Sequence, residues 1–249
     1  MARDLPPGIS LRYRGACIPF VLGLVVLTSC AGQYGREHDP PAFSRAVPAI
    51  AKPMAQLAGA IKLRRGRLTG RDEIRTALQR KLRPFDIVFL SAPYKGTSLF
   101  IPGHFSHVGV WLGEESDWKG VNLPLPLYSA LASRRSFFHV DRAGARFSDV
   151  DEILDADRLT IMRLEENFQI HEIMKRINAL NTRKYDFNFD GVDRTYLLCT
   201  ELVIELFDIR SHYYSNFLGR LFVTPDQLLQ TFMENGAAQT ISVTEAPVL

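Results

Sequence analysis

The chain has 249 residues, of which 46% are hydrophobic and 23% are charged, a composition typical of a globular protein with one core and some accessories. Its formal net charge is only +3, and its one basic cluster lies at 62–71. This distribution argues against a nucleic-acid partner, which would need a concentrated basic patch. We interpret 62–71 as a solvated helix end, with contact to anionic lipid headgroups as the alternative.

Residues 1–29 have the layout of an export signal. Three arginines precede an apolar run, 16–27, which is too short for a comfortable membrane span. The run leads into Leu-Thr-Ser-Cys at 27–30, which resembles a bacterial lipobox, where cleavage before the cysteine exposes a thiol that becomes acylated. We therefore predict a lipid anchor on Cys30, with an ordinary secretory signal or an uncleaved anchor helix as alternatives.

A lipidated Cys30 would attach the protein to a membrane of the bacterial cell envelope, facing the periplasm. Ala31, directly after this cysteine, favours the outer membrane. Removal of the signal would take away three Arg and one Asp, leaving a net charge of +1. It would also remove Cys17, so that Cys199 would be the one free thiol, either a buried apolar filler or a reactive group.

The rest of the chain begins with polar linker sequence and then becomes helical. Gly, Pro and Ser with little periodicity predict a lipidated tether at 30–48. Apolar residues at helical spacing predict two helices, 49–63 and 72–82, within an N-terminal extension, 49–82. The main domain is then 83–249.

The main domain is predicted to begin with short strands, joined by turn-rich loops without regular helices, and to end with helices. This order predicts an α+β fold with a curled, mostly antiparallel sheet rather than a doubly wound one. Thr224 is predicted to cap the last helix, whose first turn contains Pro225. The predicted strands are 85–90, 106–112, 136–141, 145–148 and 159–164, and the predicted helices are 170–180, 196–207 and 225–234.

Cys199 lies near the start of the predicted helix 196–207. Leu202, Val203 and Leu206 follow it by three, four and seven residues, which places the thiol on the face turned toward the protein body. The positive end of a helix dipole can help to lower a cysteine pKa from about 8.5 to roughly 3.5–7.5. We therefore expect a thiolate nucleophile at neutral pH.

A histidine on a rigid element is the expected partner of such a thiolate, and the predicted strand 106–112 supplies His107. Strand alternation places His107, Gly109 and Trp111 on one face. Gly109 would leave room beside the imidazole for substrate or a helix. A third group should hold the imidazole in the correct tautomer. His139 is the first candidate for it, and Asp141, on the same strand face, is the alternative.

Four sequence motifs occur in an order that resembles one enzyme family. They are RPFDIV at 83–88, FIPGHFSHVG at 100–109, KYDFNFD at 184–190 and CTELV at 199–203. Together they resemble the YiiX/YebB-like group of permuted NlpC-type cysteine hydrolases, over about residues 82–235. The resemblance implies a circularly permuted papain-like fold, in which the histidine strand precedes the helix with Cys199 and the sheet packs against that helix.

The resemblance also raises a question about the third residue. Many bacterial relatives look to carry a glutamate at the position of His139, whereas a histidine there is similar to the lecithin retinol acyltransferase-like branch of the superfamily. That branch acts on lipid acyl groups, while the NlpC-type branch cuts cell-wall peptides. The resemblance further implies that the loop with Tyr185 and Asp190 borders the cleft, where Tyr185 could donate to a substrate carbonyl and Asp190 could meet an amine.

The predicted chemistry is attack of Cys199 on an amide carbonyl, with His107 as base, through an acyl-enzyme and without a cofactor or metal. The substrate would be a peptidoglycan peptide or another small amide. One alternative is a lipid acyl hydrolase or acyltransferase with the same site, and another is a catalytically silent envelope binding module. A metal-dependent hydrolase is disfavoured because His104, His107, His139 and Asp141 match no tight metal motif.

Overall fold

We describe a computed structural model of the chain. It describes residue 53 and residues 56–165, 168–189, 193–217, 220–234 and 238–245, all within one compact unit, Gly32–Leu249. The predicted signal, the tether and the acylated Cys30 lie outside the described residues. No helix in the described part of the chain is both long enough and apolar enough to cross a membrane.

A six-stranded antiparallel sheet forms the centre of the fold. Its strands are β1 Ile87–Ser91, β2 His107–Trp111, β3 Phe137–Asp141, β4 Gly144–Ser148, β5 Arg158–Leu164 and β10 Ala238–Glu245. Their order in the sheet is β10-β5-β1-β2-β3-β4, with every neighbouring pair antiparallel. The five strands predicted from the sequence are confirmed to within two residues at each end.

Helices cover both faces of this sheet. Val108, Val110 and Phe138 belong to the core on one face, and Trp111 and Phe137 belong to the core on the other. The first face is covered by α2 Leu125–Ala132, α4 Ile170–Leu180, α5 Cys199–Phe207 and α6 Pro225–Glu234, and the second by α1 Asp72–Lys81 and α3 Val150–Leu154.

This arrangement confirms the α+β class and corrects the expected sheet shape. The sheet is open and not strongly curled. Its described ladders contain one register shift, between Thr240 and Ser242 in the edge strand β10, so the interior strands lack the bulges that would bend them. With a core on each face, the sheet has no single interior to wrap around.

The predicted helices 72–82, 170–180 and 225–234 are observed almost unchanged. Thr224 caps α6 as predicted, since its hydroxyl accepts the Gln227 amide while the Gln227 side chain accepts the Thr224 amide. The sequence did not predict α2 and α3, and the expectation of helix-free loops between strands was therefore wrong. In α3, Asp149 caps the amides of Asp151 and Glu152.

The nucleophile helix begins three residues later than predicted. Tyr196 and Leu197 form strand β7, which pairs in parallel with β6 Lys184–Tyr185, so α5 begins at Cys199. A further hairpin joins β8 Ser215–Phe217 to β9 Arg220–Phe222. The parallel pairing matters for the site because it places Tyr185 opposite Leu197, two residues before the thiol.

The N-terminal extension contacts the loop after β1. Residue 53 and residues 56–60 are helical, and the helix ends at 60 rather than at 63. It ends there because Lys62 forms a β-bridge with Lys95, and the Gly96 amide donates to the Ile61 carbonyl at 2.9 Å. The loop and the helix approach closely at Gly96, where a Cβ would lie 2.0 Å from the Ala58 carbonyl oxygen.

Candidate active site

Cys199 is the first residue of α5, and its side chain is buried at 5% exposure. Leu202, Val203 and Leu206 join it in the core on one sheet face, as their spacing predicted. Helix α5 packs on β2 and β3. The Glu201 carboxylate accepts the Leu198 amide at 2.7 Å and so fixes the turn that presents the thiol.

Three backbone amides, those of Val108, Thr200 and Cys199 itself, lie near the Cys199 sulfur and favour its thiolate form. Val108 directly follows His107 in β2, so this contact places the sulfur beside the start of the histidine strand. Burial nevertheless raises the pKa of the Cys199 thiol to about 11, and the amides offset only part of this rise. The expected lowering of the thiol pKa is therefore wrong for the resting protein, because desolvation outweighs the helix start.

His107 begins β2 on the face predicted for it. Burial, followed by the charge of the Lys95 ammonium, lowers its pKa to about 4, so the imidazole is neutral at neutral pH. Gly109 lies two residues on and pairs with His139 of β3. A Cβ at Gly109 would lie 2.5 Å from the Phe137 ring and 2.8 Å from the His139 Cβ. The space beside the imidazole is thus occupied by β3, not left for substrate.

His139 contacts His107 directly. His107 Nε2 lies 2.9 Å from His139 Nδ1, and the two rings meet edge to face. His139 Nε2 in turn lies 2.9 Å from the Ser148 hydroxyl. Since the Nε2 atom of His107 is engaged by His139, its Nδ1 atom remains for the thiol. Burial, followed by the charge of His107, lowers the pKa of His139 well below its ordinary value.

Asp141, the alternative third residue, is engaged elsewhere. Its carboxylate accepts the Arg146 guanidinium at 2.6 and 2.9 Å and the Ala143 amide at 2.8 Å. Desolvation raises its pKa, but the bonds from Arg146 and Ala143 outweigh this and leave it below the ordinary value. Asp141 therefore lies beside the imidazoles as part of an ion pair, without a hydrogen bond to either ring in the structure.

A cavity of about 270 Å³ opens over Cys199 and His107. Tyr185, predicted to bind substrate, lines it, and burial, with the Cys199 charge as the second cause, raises the pKa of its phenol. Asp190, the other predicted substrate contact, lies outside the described residues. The charged residues of the lining are Lys62, Lys95, Asp141, Arg142, Glu152 and Asp155.

Two parts of this site were missed by the sequence analysis. Ser148 pairs with Phe137 in the β3–β4 hairpin and is a diagonal neighbour of His139, so hairpin register was the signal for it. Residues 59–62 also line the cavity, although they precede the main domain. No local pattern indicated this placement, because it depends on the bridge to the loop after β1.

The histidines do not assemble as metal ligands in the described part of the chain, where no three His, Cys, Asp or Glu side chains are grouped to hold a metal ion. His104 is exposed, and Asp141 is held by Arg146. The metal-dependent alternative thus gains no support from these four residues.

Comparison with known proteins identifies the family. The model of the family described as "Permuted papain-like amidase enzyme, YaeF/YiiX, C92 family" matches residues 81–249. No curated protein and no solved structure matches the chain significantly. Because the match spans well over half of the sequence, the chain belongs to this family, and it is an enzyme of the cysteine amidase and peptidase type.

Proposed function

We propose that this permuted papain-like amidase hydrolyses a small polar amide with Cys199 as nucleophile and His107 as base. His139 is the positioning residue, because it is the side chain within hydrogen-bond distance of the His107 ring. The observation that carries the proposal is that Cys199 and His107 line the same cavity, with the Val108 amide, next to His107 in the chain, near the Cys199 sulfur. Tyr185 lies close enough to contribute to substrate binding.

The raised thiol pKa and lowered imidazole pKa set the order of events. A separate thiolate or imidazolium would be costly in this buried site, so the proton passes from sulfur to His107 Nδ1 as sulfur attacks the carbonyl carbon. The imidazolium then donates this proton to the leaving amine, and the acyl-enzyme forms. Water, deprotonated by His107, then attacks the thioester carbon. The carbon–sulfur bond breaks, the proton returns from His107 to the Cys199 sulfur, and the acid is released. The Cys199 amide, at the start of α5, would stabilise the oxyanion.

The tautomers follow from the same chain of contacts. For Nδ1 of His107 to accept the thiol proton, its Nε2–H must donate to His139 Nδ1. His139 then carries its proton on Nε2 and donates it to the Ser148 hydroxyl, which is 2.9 Å away. His139 and Ser148 therefore select the tautomer of His107 that can act as a base.

The cavity supports a polar substrate over a lipid acyl chain. Its volume of about 270 Å³ lies at the small end of ligand sites, and six charged side chains line it. A peptide fragment of the cell wall is one amide of this size and polarity. An acyl chain would have to remove the water around these charges without replacing its hydrogen bonds.

Product analysis with purified wild type and Cys199→Ala tests the proposed reaction. We expect wild type to release an amine from muropeptides or small amides, and Cys199→Ala to release none. Phospholipid vesicles serve as the second substrate set, for which we expect no released fatty acid. Release of fatty acid would favour the lipid alternative. If folded wild type cleaved neither substrate set and also failed to react with thiol-directed acyl probes, the binding module would be favoured.

We further propose that Cys30 carries the lipid that attaches the enzyme to the cell envelope, facing the periplasm, with Ala31 favouring the outer membrane. Support comes from the order of arginines, apolar run and lipobox-like residues. Metabolic labelling with a palmitate analogue, followed by membrane fractionation, tests this. Cys30→Ala should lose both the label and membrane association, whereas Cys17→Ala should retain both; a labelled Cys30→Ala would contradict the assignment.

A further inference from the structure

A segment from outside the matched family region forms part of the active-site wall. Residues 59–62 line the same cavity as Cys199, although the family match begins at residue 81. The segment is held against the loop after β1, since the Leu63 amide donates to the Tyr94 carbonyl at 3.0 Å and Lys62 bridges to Lys95. It therefore adds one cation, Lys62, to the lining of the cavity that contains Cys199.

The acidic groups of the cavity wall already have strong partners. Asp155 Oδ2 accepts the Lys62 ammonium at 2.7 Å and the Lys95 ammonium at 3.1 Å. Partial burial raises the pKa of Asp155, but the bonds from Lys62, the Gly66 amide and Lys95, together with the charge of Lys95, outweigh this and lower it to about 2. The other donors to the three lining carboxylates are Gly66 and Tyr94 for Asp155, Lys95 and Arg146 for Glu152, and Arg146 and Ala143 for Asp141.

The basic groups, in contrast, retain donors that are free to bind. The Lys62 ammonium has one carboxylate partner, and its side chain is 45% exposed, so two of its three N–H groups remain for solvent or a ligand. Arg142 lines the cavity, is exposed, and has no ion-pair partner in the described parts of the chain. Each lining carboxylate is thus paired with a cation, whereas Lys62 and Arg142 retain unpaired donors, which favours a ligand with negative charge.

We propose, on the basis of the amidase function above, that the cleft selects substrates with an anionic group near the scissile amide, and that Lys62 and Arg142 bind this group. The chemical class is an amide that carries a carboxylate. Lys62 belongs to the segment 59–62, so a part of the chain outside the family-matched region contributes to this specificity.

Alkylation of Cys199 by two small reagents tests the proposal without a known substrate. Iodoacetate carries a carboxylate, and iodoacetamide is its neutral analogue, so the ratio of their rates reports attraction of the anion. Mass spectrometry of the Cys199 peptide separates this thiol from Cys17 and Cys30. The variants are Lys62→Gln, Arg142→Gln and the charge-retaining Lys62→Arg, with Lys119→Gln as the matched control, because Lys119 is exposed and does not line the cavity.

We expect the iodoacetate-to-iodoacetamide ratio to fall by about threefold to fivefold in Lys62→Gln and in Arg142→Gln, as removal of one nearby charge implies. Lys62→Arg and Lys119→Gln should keep the wild-type ratio, and the wild-type ratio should fall as salt is raised. Equal ratios in wild type, Lys62→Gln, Arg142→Gln and Lys119→Gln would overturn the anion site while leaving the amidase proposal intact. If the protein showed the anion preference but cleaved no amide, the anion site would stand and the amidase proposal would fail.

Discussion

The two walls of the cleft differ in burial and in charge. The catalytic wall, with Cys199, His107 and His139, is largely buried: Cys199 and His139 are each at most 5% exposed, and burial opposes ionisation of all three side chains. The charged wall, with Lys62, Lys95, Glu152 and Asp155, is partly exposed and carries ion pairs, among them Lys62 with Asp155. Under the proposed function, this difference separates chemistry from recognition. Proton transfer would take place where charge is costly, and substrate selection would take place where charge is solvated.

The largest expected contrast concerns the ionisation of the thiol. With a pKa of about 11, only about one Cys199 in 10⁴ is a thiolate at pH 7. The sign follows directly, since a raised cysteine pKa keeps the proton on sulfur until the pH rises through that value. Ultraviolet absorbance of the thiolate, taken as the difference between wild type and Cys199→Ala, should be absent at neutral pH and appear only at strongly alkaline pH. A full thiolate signal at neutral pH would mean that the catalytic wall is charged at rest.

Removal of the base should have the next largest effect. His107→Gln keeps a polar side chain of similar reach but cannot take a proton at this site, so we expect kcat/KM for a small amide to fall by about 10² to 10⁴-fold. Because the His107 pKa lies near 4, wild-type activity should decline only as the pH falls through about 4, when the imidazole becomes protonated. Unchanged kcat/KM in His107→Gln would remove His107 from the mechanism.

His139 and Asp141 provide a matched test of which third residue matters. His139→Ala removes the contact with His107 Nε2 and should lower kcat by up to about a hundredfold, the scale of effect expected when a reacting group is misplaced. Asp141→Asn keeps the size of the side chain but weakens its ion pair with Arg146. We therefore expect a lower melting temperature and a kcat close to that of wild type. A larger loss of kcat in Asp141→Asn than in His139→Ala would show that the Asp141–Arg146 ion pair also directs catalysis.

The site residues that the sequence predicted are those with a local signature. Cys199 is recognisable from the apolar spacing of its own helix, and His107 from strand alternation. The choice between His139 and Asp141 could not be made locally, because it depends on the register that pairs Gly109 with His139 and on Arg146, which engages Asp141 from the next strand. The fold shows the same division: interior strands were predicted closely, whereas the edge strand β10 and the wall at 59–62 depend on contacts far along the chain.

The smallest effect is expected at the far end of the histidine chain. Ser148→Ala removes one hydrogen bond to His139, and at about 1 kcal/mol for such a bond it should reduce kcat by about fivefold. Ser136 is the matched control, because its hydroxyl is buried without a hydrogen-bond partner, so that Ser136→Ala deletes the same atom without losing that contact. If Ser148 selects the His139 tautomer, Ser148→Ala should lower kcat with KM unchanged, and Ser148→Thr, which retains the hydroxyl, should recover activity. Equal kcat values for Ser148→Ala and Ser136→Ala would instead mean that His139 holds His107 without help from Ser148 of β4. The catalytic wall would then depend on His139 alone to position His107.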